Sequence, residues 1–426
     1  MHITRILLFV FLIINGNQLY SQAIIDTKPD PVAAGFDKNR LTRLDNYLQD
    51  QVNKGRAPGV AALIIRNGKI AYYNSFGYND EDKKQPLKKD AIFRIASQTK
   101  AITSTAIMML YEEGKFLLND PVSKFIPEFA NARVIEKFNM EDTSFTTVPA
   151  KRQITIHDLL THTSGIGYAY IGSPQAVALY HKYNIPPAIG MRTGDLGTDM
   201  RKLGTLPLMH QPGERWTYGL NTDILGYLIE VISGQPLDEF FRKRIFEPLG
   251  MNDTYFLIPK EKAGRLATLF IVDSTGKFKA YKDGIMGEMD GNFPLGNLRY
   301  FSGGGGLSST LIDYAKFLQM YLNEGEYNGK RLLSRNVVRM ILSNQIGDHN
   351  LGFNKFGLGY FLVMPADAAK TPWNVGSFGW GGAFATTYWA DPKENMICLI
   401  FKQIWGDPNG DIGEYFKVLT YQAIND

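Results

Sequence analysis

The chain has 426 residues, of which 44% are hydrophobic and 21% are charged. This composition is typical of an ordinary globular protein with enough apolar material for a large core. The formal net charge is +4, and the Lys and Arg residues are spread along the chain. Without a basic block or a basic-aromatic stripe, nucleic-acid binding has no specific support.

The first 21 residues predict a secretory signal peptide. His2 and Arg5 precede nine apolar residues, Ile6 to Ile14, and polar residues follow. This run is shorter than the roughly 20 residues that span a bilayer, and its order is typical of a signal cleaved after Ser21. We therefore expect an exported protein, periplasmic or secreted, with no stable membrane span in its mature form.

The single cysteine, Cys398, lies inside an apolar run and is expected to be a core residue. A chain with one cysteine forms no internal disulfide, so its core must hold it together. Residues 22–35 contain two prolines and little periodicity, and we interpret them as a linker. The remaining residues, 36–426, are expected to form a single domain.

The first part of that domain predicts a helix, a hairpin and a second helix. Residues 37–53 place apolar side chains on one helix face, and β-rich runs then flank Asn67-Gly68, a strong hairpin signal. The second helix begins at Ser97-Gln98-Thr99-Lys100, is mostly apolar from Ala101 to Leu110, and has Gly114 as its stop.

Three later segments carry helix start and stop signals. In chain order these signals are Thr155 with Asp158 and Gly165, Asn221 with Gly234, and Thr310 with Asp313 and Gly325.

The C-terminal part predicts two strands on either side of Asp391-Pro392 and Asn395, and a last helix over 411–424. Strands thus sit at both ends of the domain, in about 36–96 and 300–426, with a helical region over about 97–299. The simplest arrangement is an α/β (α+β) fold, in which both chain ends build an antiparallel sheet flanked by helices and a helical subdomain is inserted. We expect the functional site at the seam between these regions.

Ser97 and Lys100 suggest nucleophilic chemistry at the start of the buried helix. Residues at i and i+3 share a helix face, and a serine hydroxyl needs a nearby base to become a nucleophile. Burial and the positive helix end both favour the neutral amine that can act as this base. The alternative is that Ser97 caps the helix and Lys100 is a solvated surface residue.

Several blocks of the chain, from about residue 36 to its end, resemble the serine β-lactamase-like superfamily. They are, in order, RIASQTKAITSTAIMMLYEEGK, ITIHDLLTHTSGI, PGERWTYGLNTDILGYLIEVISG, PLGM and GGGGLSSTLIDYAKFL. The superfamily includes class C β-lactamases, penicillin-binding DD-peptidases and family VIII carboxylesterases. The resemblance implies a β-lactamase/transpeptidase-like fold and a Ser-x-x-Lys mechanism.

The second motif of this superfamily, a tyrosine followed by two residues, is matched by Tyr218-Gly219-Leu220. The resemblance implies that Tyr218 shares the serine proton with Lys100 and passes it to the leaving group. Leu220 is a departure, because the family often has an asparagine there that helps to hold an amide group. Asn221 comes one position later and is expected to cap a helix. Leu220 in the substrate pocket therefore weakens the case for β-lactams and peptides and is compatible with esters.

The third motif is matched by Trp380-Gly381-Gly382, which we expect to line the substrate pocket. Glycines in a strand allow close backbone approach. By resemblance, the N–H groups of Ser97 and Ala383 form the oxyanion hole. Trp380 replaces a residue that grips the carboxylate of penicillin-like substrates, and Trp-Gly-Gly is the pattern of family VIII carboxylesterases.

Other candidates are weaker. His162 is expected to be structural, and the six histidines show no metal-binding spacing, so we predict neither a metal nor a cofactor. Some aromatic residues are candidates for an apolar acyl pocket, although core packing is the more ordinary role for each. They are Tyr168, Tyr170, Trp373 and Trp405.

The sequence therefore predicts a serine hydrolase that acts on a small ester or amide through an acyl-enzyme, with carboxylic esters as the first substrate class. A β-lactamase or D-amino-acid peptidase is the alternative within the same fold. A non-hydrolytic ligand-binding or cell-wall-binding relative is the alternative from another class. The sequence does not indicate the oligomeric state.

Overall fold

The computed structural model describes residues 23–80, 84–191, 194–282, 289–297, 299–349, 351 and 354–426. The predicted signal peptide therefore lies outside the described residues. Residues 23–35 contain no helix or strand, and they hydrogen-bond the main sheet through Asp26 N to Gly68 O and Asp30 N to Ile70 O. Among the described residues, no helix has both the length and the apolar character needed to cross a bilayer.

The α-helices are α1 Lys38–Asn53, α2 Thr99–Glu112, α3 Ile156–Leu160, α4 Pro174–Lys182, α5 Leu196–Gly204, α6 Asn221–Ser233, α7 Leu237–Phe241, α8 Glu247–Leu249, α9 Leu311–Leu322, α10 Arg335–Ile341, α11 Pro365–Ala368 and α12 Asp411–Tyr421. The strands are β1 Gly59–Arg66, β2 Lys69–Asp80, β3 Gln85–Pro86, β4 Phe93–Arg94, β5 Arg133–Phe138, β6 Phe145–Pro149, β7 Phe270–Val272, β8 Phe278–Ala280, β9 Ser308–Ser309, β10 Glu326–Tyr327, β11 Lys330–Arg331, β12 Lys355–Phe356, β13 Phe361–Leu362, β14 Phe378–Gly382, β15 Thr386–Asp391, β16 Met396–Phe401 and β17 Ile404–Trp405.

The main sheet confirms the predicted fold class. Its eight strands run in the order β12-β13-β14-β15-β16-β1-β2-β3, and all neighbours are antiparallel. The first hairpin turns at Asn67 and Gly68, whose φ angles of 52° and 72° suit a tight turn. Strand β1 pairs with β16, so the two ends of the domain meet at the centre of the sheet.

Both faces of the central strands are covered. On β1, Ala62 and Ile64 pack in a cluster with Leu44 of α1 and Phe416 of α12. Its alternate residues face the larger core that holds α2 and α9. Every residue of β1 is buried, which explains its continuous apolar sequence. Cys398 is a buried free thiol in this sheet, as predicted.

Helix α2 is unusual because every residue from Thr99 to Leu110 is buried. Its polar side chains bond to the segment that precedes α9: Thr103 Oγ1 donates to Gly303 O at 2.7 Å, and Leu307 N donates to Thr99 Oγ1 at 3.1 Å. These bonds satisfy polar groups inside the core, and they hold the glycine-rich segment 303–306 against the start of α2.

Three local predictions were wrong. Helix α3 has the predicted Thr155–Asp158 capping box but ends at Leu160, and Gly165 instead allows close approach to His210, whose carbonyl would lie 2.4 Å from a methyl group at Gly165. Asn221 does not cap α6, because its buried side chain bonds elsewhere. The predicted strand before Asp391 is divided into β14 and β15 by a turn at Ala385, which has a φ of 59°.

The region over 97–299 contains helices α2 to α8, and it also contains two hairpins, β5–β6 and β7–β8, which the sequence did not predict. Helix α12 confirms the C-terminal helix and ends at Tyr421.

Candidate active site

Ser97 lies in a 3₁₀ turn, Ala96–Gln98, that leads directly into α2. Ala96 has a φ of 43°, a left-handed conformation that is rare for a residue with a side chain. Strain of this kind is often found at functional sites. The turn brings Ser97, which is 7% exposed, to the wall of a cavity. The N-cap of α2 is Gln98, so the alternative in which Ser97 caps this helix is wrong.

Lys100 lies directly behind the serine. Its Nζ is 3.2 Å from Ser97 Oγ and 2.5 Å from the carbonyl oxygen of Gly304. The residue is 2% exposed, so the alternative of a solvated surface lysine is wrong. A buried amine within hydrogen-bond distance of a serine hydroxyl has the geometry that a nucleophile and its base require.

Tyr218 reaches the same place from the loop before α6. Lys100 Nζ lies 4.8 Å from the centre of its ring, and Trp380 Nε1 donates a 3.3 Å hydrogen bond to its Oη. The ring stacks on Trp216 and contacts His162. A methyl group at Gly219 would stand 2.0 Å from Ile166 O, so only glycine lets this loop pass so close.

The third motif lies on strand β14, at the edge of the cavity. A methyl group at Gly382 would stand 2.4 Å from the carbonyl oxygen of Ile95, so this glycine lets the end of β14 approach the turn that carries Ser97. A methyl group at Gly381 would make only ordinary contacts, the nearest at 3.5 Å. Ala383 follows directly in the turn after β14 and also lines the cavity.

The cavity has a volume of about 770 Å³ and is mainly aromatic and small-residue in character. Its wall includes most of the residues that the sequence selected for the site: Ser97, Tyr218, Trp380, Gly381, Gly382 and Ala383, together with Tyr170 and Trp405 from the candidate acyl pocket. Lys100 adjoins the wall through Ser97 without forming part of it.

Leu220, Tyr168 and Trp373 do not line this cavity. Leu220 is 0% exposed and packs in the core beneath α6, which contradicts its predicted place in the substrate pocket. The reason is steric: Gly219 turns the chain against residues 166–167, and the next side chain is then directed inward.

His162 and Asn221 form a network behind Tyr218. Asn221 Nδ2 is 2.9 Å from His162 Nδ1, and Ser164 Oγ donates to Asn221 Oδ1. Burial, with the nearby charge of Lys100, places the pKa of His162 well below its usual value, so the ring is neutral and accepts the amide proton. This network ties the loop at 162–164 to α6, and His162 does not reach the cavity.

Two residues at the site were not selected from the sequence. Asp223, in the first turn of α6, is fully buried and faces Gly304. An acid in a first helical turn ordinarily indicates no more than a favourable interaction with the helix dipole. The run Gly303 to Gly306 was a usable signal for Gly304, because consecutive glycines often mark a close backbone approach.

Comparison with known proteins identifies the family of this chain. The family model described as Beta-lactamase matches residues 44–421. Esterase EstB of Burkholderia gladioli is 30% identical over 87% of this chain and 92% of its own. A protein of Escherichia coli strain K12 named as a putative D-alanyl-D-alanine carboxypeptidase is 27% identical over 90% of this chain and 87% of its own.

Among solved structures, EstCE1, described as a hydrolase with promiscuous acyltransferase activity, superposes with a TM-score of 0.79 at 25% identity, covering 92% of this chain and all of its own. The match to the family model over most of the chain and the similarity to EstB confirm the resemblance seen in the sequence motifs. The chain therefore belongs to the Beta-lactamase family of hydrolases, in which its relatives include esterases and peptidases.

Proposed function

We propose that the protein is an exported serine hydrolase that cleaves carboxylic esters through an acyl-enzyme on Ser97. The observation that carries this proposal is the 3.2 Å distance between Ser97 Oγ and Lys100 Nζ at the wall of a mainly aromatic cavity. Export is inferred from the N-terminal residues alone. Cell fractionation with an antibody to the mature chain tests it, and protein retained with its full N-terminus in the cytoplasm would contradict it.

The proposed reaction begins when Ser97 Oγ attacks the ester carbonyl. Its proton passes to the pair formed by Lys100 and Tyr218, and the negative oxygen is held by the N–H groups of Ser97 and Ala383. The bond to the leaving alcohol then breaks, and the alcohol takes the proton. Water attacks the acyl-enzyme, releases the carboxylic acid and restores the serine hydroxyl.

The charges around the cavity favour esters over β-lactams and D-peptides. Among the described wall residues, the charged side chains are Lys402 and Asp407, and these two form an ion pair with each other. Lys402 also donates to Asn409 O at 3.0 Å. Penicillin-like substrates and peptide C-termini carry a carboxylate that needs a cation as its partner. Lys402 is already paired with Asp407, so it is not free to bind such a carboxylate.

We therefore expect the enzyme to prefer neutral esters. A sharp comparison pairs nitrophenyl butyrate with the nitrophenyl hemiester of succinic acid, which adds a carboxylate to an acyl chain of the same length. We expect kcat/KM for the charged ester to be lower by a factor of about ten or more, because its carboxylate loses its water and finds no partner in the cavity.

A chromogenic cephalosporin and a D-alanyl dipeptide complete the panel. Fast cephalosporin turnover with negligible ester hydrolysis would reverse the preference and support the β-lactamase alternative. The non-hydrolytic alternative predicts that a fluorophosphonate probe leaves no adduct on Ser97 of the folded protein.

Trp380 is expected to assist Tyr218 through the indole N–H. Replacing Trp380 with phenylalanine keeps an aromatic wall but removes the 3.3 Å hydrogen bond to Tyr218 Oη. Loss of one such bond corresponds to a decrease in kcat/KM of about three- to tenfold for a nitrophenyl ester. Trp373→Phe is the matched control, since Trp373 lies outside the cavity wall, and an equal loss in both variants would contradict the specific role.

A further inference from the structure

Asp223 is a buried carboxylate with incomplete hydrogen bonding. It lies in the first turn of α6 and is 0% exposed. Its Oδ1 accepts a 2.6 Å hydrogen bond from Ser302 Oγ, whereas its Oδ2 has no hydrogen-bond partner among the described residues. Burying a carboxylate oxygen in this way is costly unless a positive charge lies close by.

The amine of Lys100, which becomes positively charged when it takes a proton, lies on the other side of Gly304. A methyl group at Gly304 would stand 2.4 Å from Asp223 Oδ2 and 3.4 Å from Lys100 Nζ. The carboxylate and the amine are therefore within about 6 Å of each other, a range in which opposite charges strongly affect one another. Only a glycine at 304 leaves this space open while its carbonyl oxygen accepts the bond from Lys100 Nζ.

Three tyrosines and one histidine around this pair are uncharged near neutral pH. Burial raises the pKa values of Tyr168 and Tyr300 well above the usual tyrosine value, and it also raises the pKa of Tyr170. The neighbouring His162 is neutral because its pKa is lowered. The ring of Tyr218 also faces Lys100, with its centre 4.8 Å from Nζ.

Asp223 itself is ionised where a hydrolase of this kind works. Burial raises its pKa to about 6, although the hydrogen bond from Ser302, the charge of Lys100 and the nearby backbone N–H of Gly304 act in the opposite direction. Above pH 7 the carboxylate is thus mainly charged, and it supplies the negative charge that faces Lys100 among the described neighbours.

We propose that Asp223 is a positioning residue that acts through Lys100, as the countercharge to the ammonium group formed when Lys100 takes the Ser97 proton. The proposal rests on the acyl-enzyme chemistry proposed above. In the attack, the Ser97 O–H bond breaks, the proton moves to Lys100 Nζ, and the serine oxygen forms its bond to the substrate. The Asp223 carboxylate stabilises the positive charge that appears on Lys100, from the other side of Gly304. In other serine hydrolases a third group supports the base in a similar way.

The test follows phosphonylation of Ser97 by a fluorophosphonate probe from pH 6 to 10, in the full mature chain. In this reaction Ser97 displaces fluoride and its proton goes to Lys100, so the readout does not depend on the ester substrate. Asp223→Asn keeps the shape and removes the charge. We expect its maximal labelling rate to fall about tenfold, and the midpoint of its pH profile to move about one pH unit lower, because the amine loses its countercharge.

Asp223→Glu is expected to return the midpoint to that of the unchanged protein, since it restores the charge. Asp238→Asn makes the same substitution on α7, away from the cavity, and is expected to change neither rate nor midpoint. Circular dichroism melting shows whether each variant is folded.

A slower rate with an unchanged midpoint in folded Asp223→Asn would indicate a merely structural residue and would overturn the proposal, as would no change in either quantity. Normal labelling of the unchanged protein without ester hydrolysis would instead refute the proposed substrate class and leave this inference standing.

Discussion

Ser97→Ala is expected to lose all measurable ester hydrolysis and all labelling by a fluorophosphonate. The serine oxygen is the atom that forms the covalent intermediate, and among the hydroxyl groups on the described cavity wall it is the one that has a hydrogen bond from a lysine amine. Removing the nucleophile of an enzyme of this kind lowers kcat by roughly 10³-fold or more. The measurement is nitrophenyl butyrate turnover, with intact-protein mass spectrometry after exposure to the probe.

Ser104→Ala is the matched control, because it makes the same change in α2, the helix that directly follows Ser97. Ser104 is buried against Gly359, away from the cavity, and its replacement is expected to leave the labelling rate unchanged. An adduct that persists in Ser97→Ala would show that the nucleophile lies elsewhere.

Lys100→Met is the second large effect that we expect. Methionine has a similar length and suits a buried site, but it cannot take a proton from Ser97. General-base catalysis ordinarily contributes about 10²- to 10⁴-fold, so kcat is expected to fall by that factor while KM changes little. The substitution also leaves Gly304 O without its donor, which costs about 1 kcal/mol of folding stability.

Lys115→Met, at an exposed position three residues beyond the C-terminal end of the same helix, controls for the loss of a lysine as such. If Lys100→Met retained a labelling rate within about threefold of the unchanged protein, Tyr218 alone would be the base, and the role given to Lys100 would be wrong.

Features that depend on a few consecutive residues were predictable from the sequence. The turn at Asn67 and Gly68, the Thr155–Asp158 capping box and the stop at Gly234 all occur as expected. Each depends on backbone conformations or hydrogen bonds within about four residues, and these local preferences are encoded in residue type. The Ser97–Lys100 pair is also local, since it needs only a helical turn.

The errors arose where distant segments compete for the same side chain. Asn221 has the residue type and position of a helix cap, but Ser164 and His162 offer it partners inside the core. Leu220 follows a motif tyrosine, yet the close approach of Gly219 to residue 166 directs it away from the cavity. In both cases tertiary packing overrides the local preference, as it often does for single positions.

By itself, the sequence determined the candidate nucleophile, its base and the order of the elements, because helical and strand periodicity and short motifs act over a few residues. Only the tertiary structure decided what surrounds them. It brings Trp380 to Tyr218 from 162 residues away and sets Asp223 opposite Lys100 across Gly304. These contacts join segments that are far apart in the chain. Burial of apolar surface brings such segments together, and because this force is non-directional, residue type alone does not specify which segments meet.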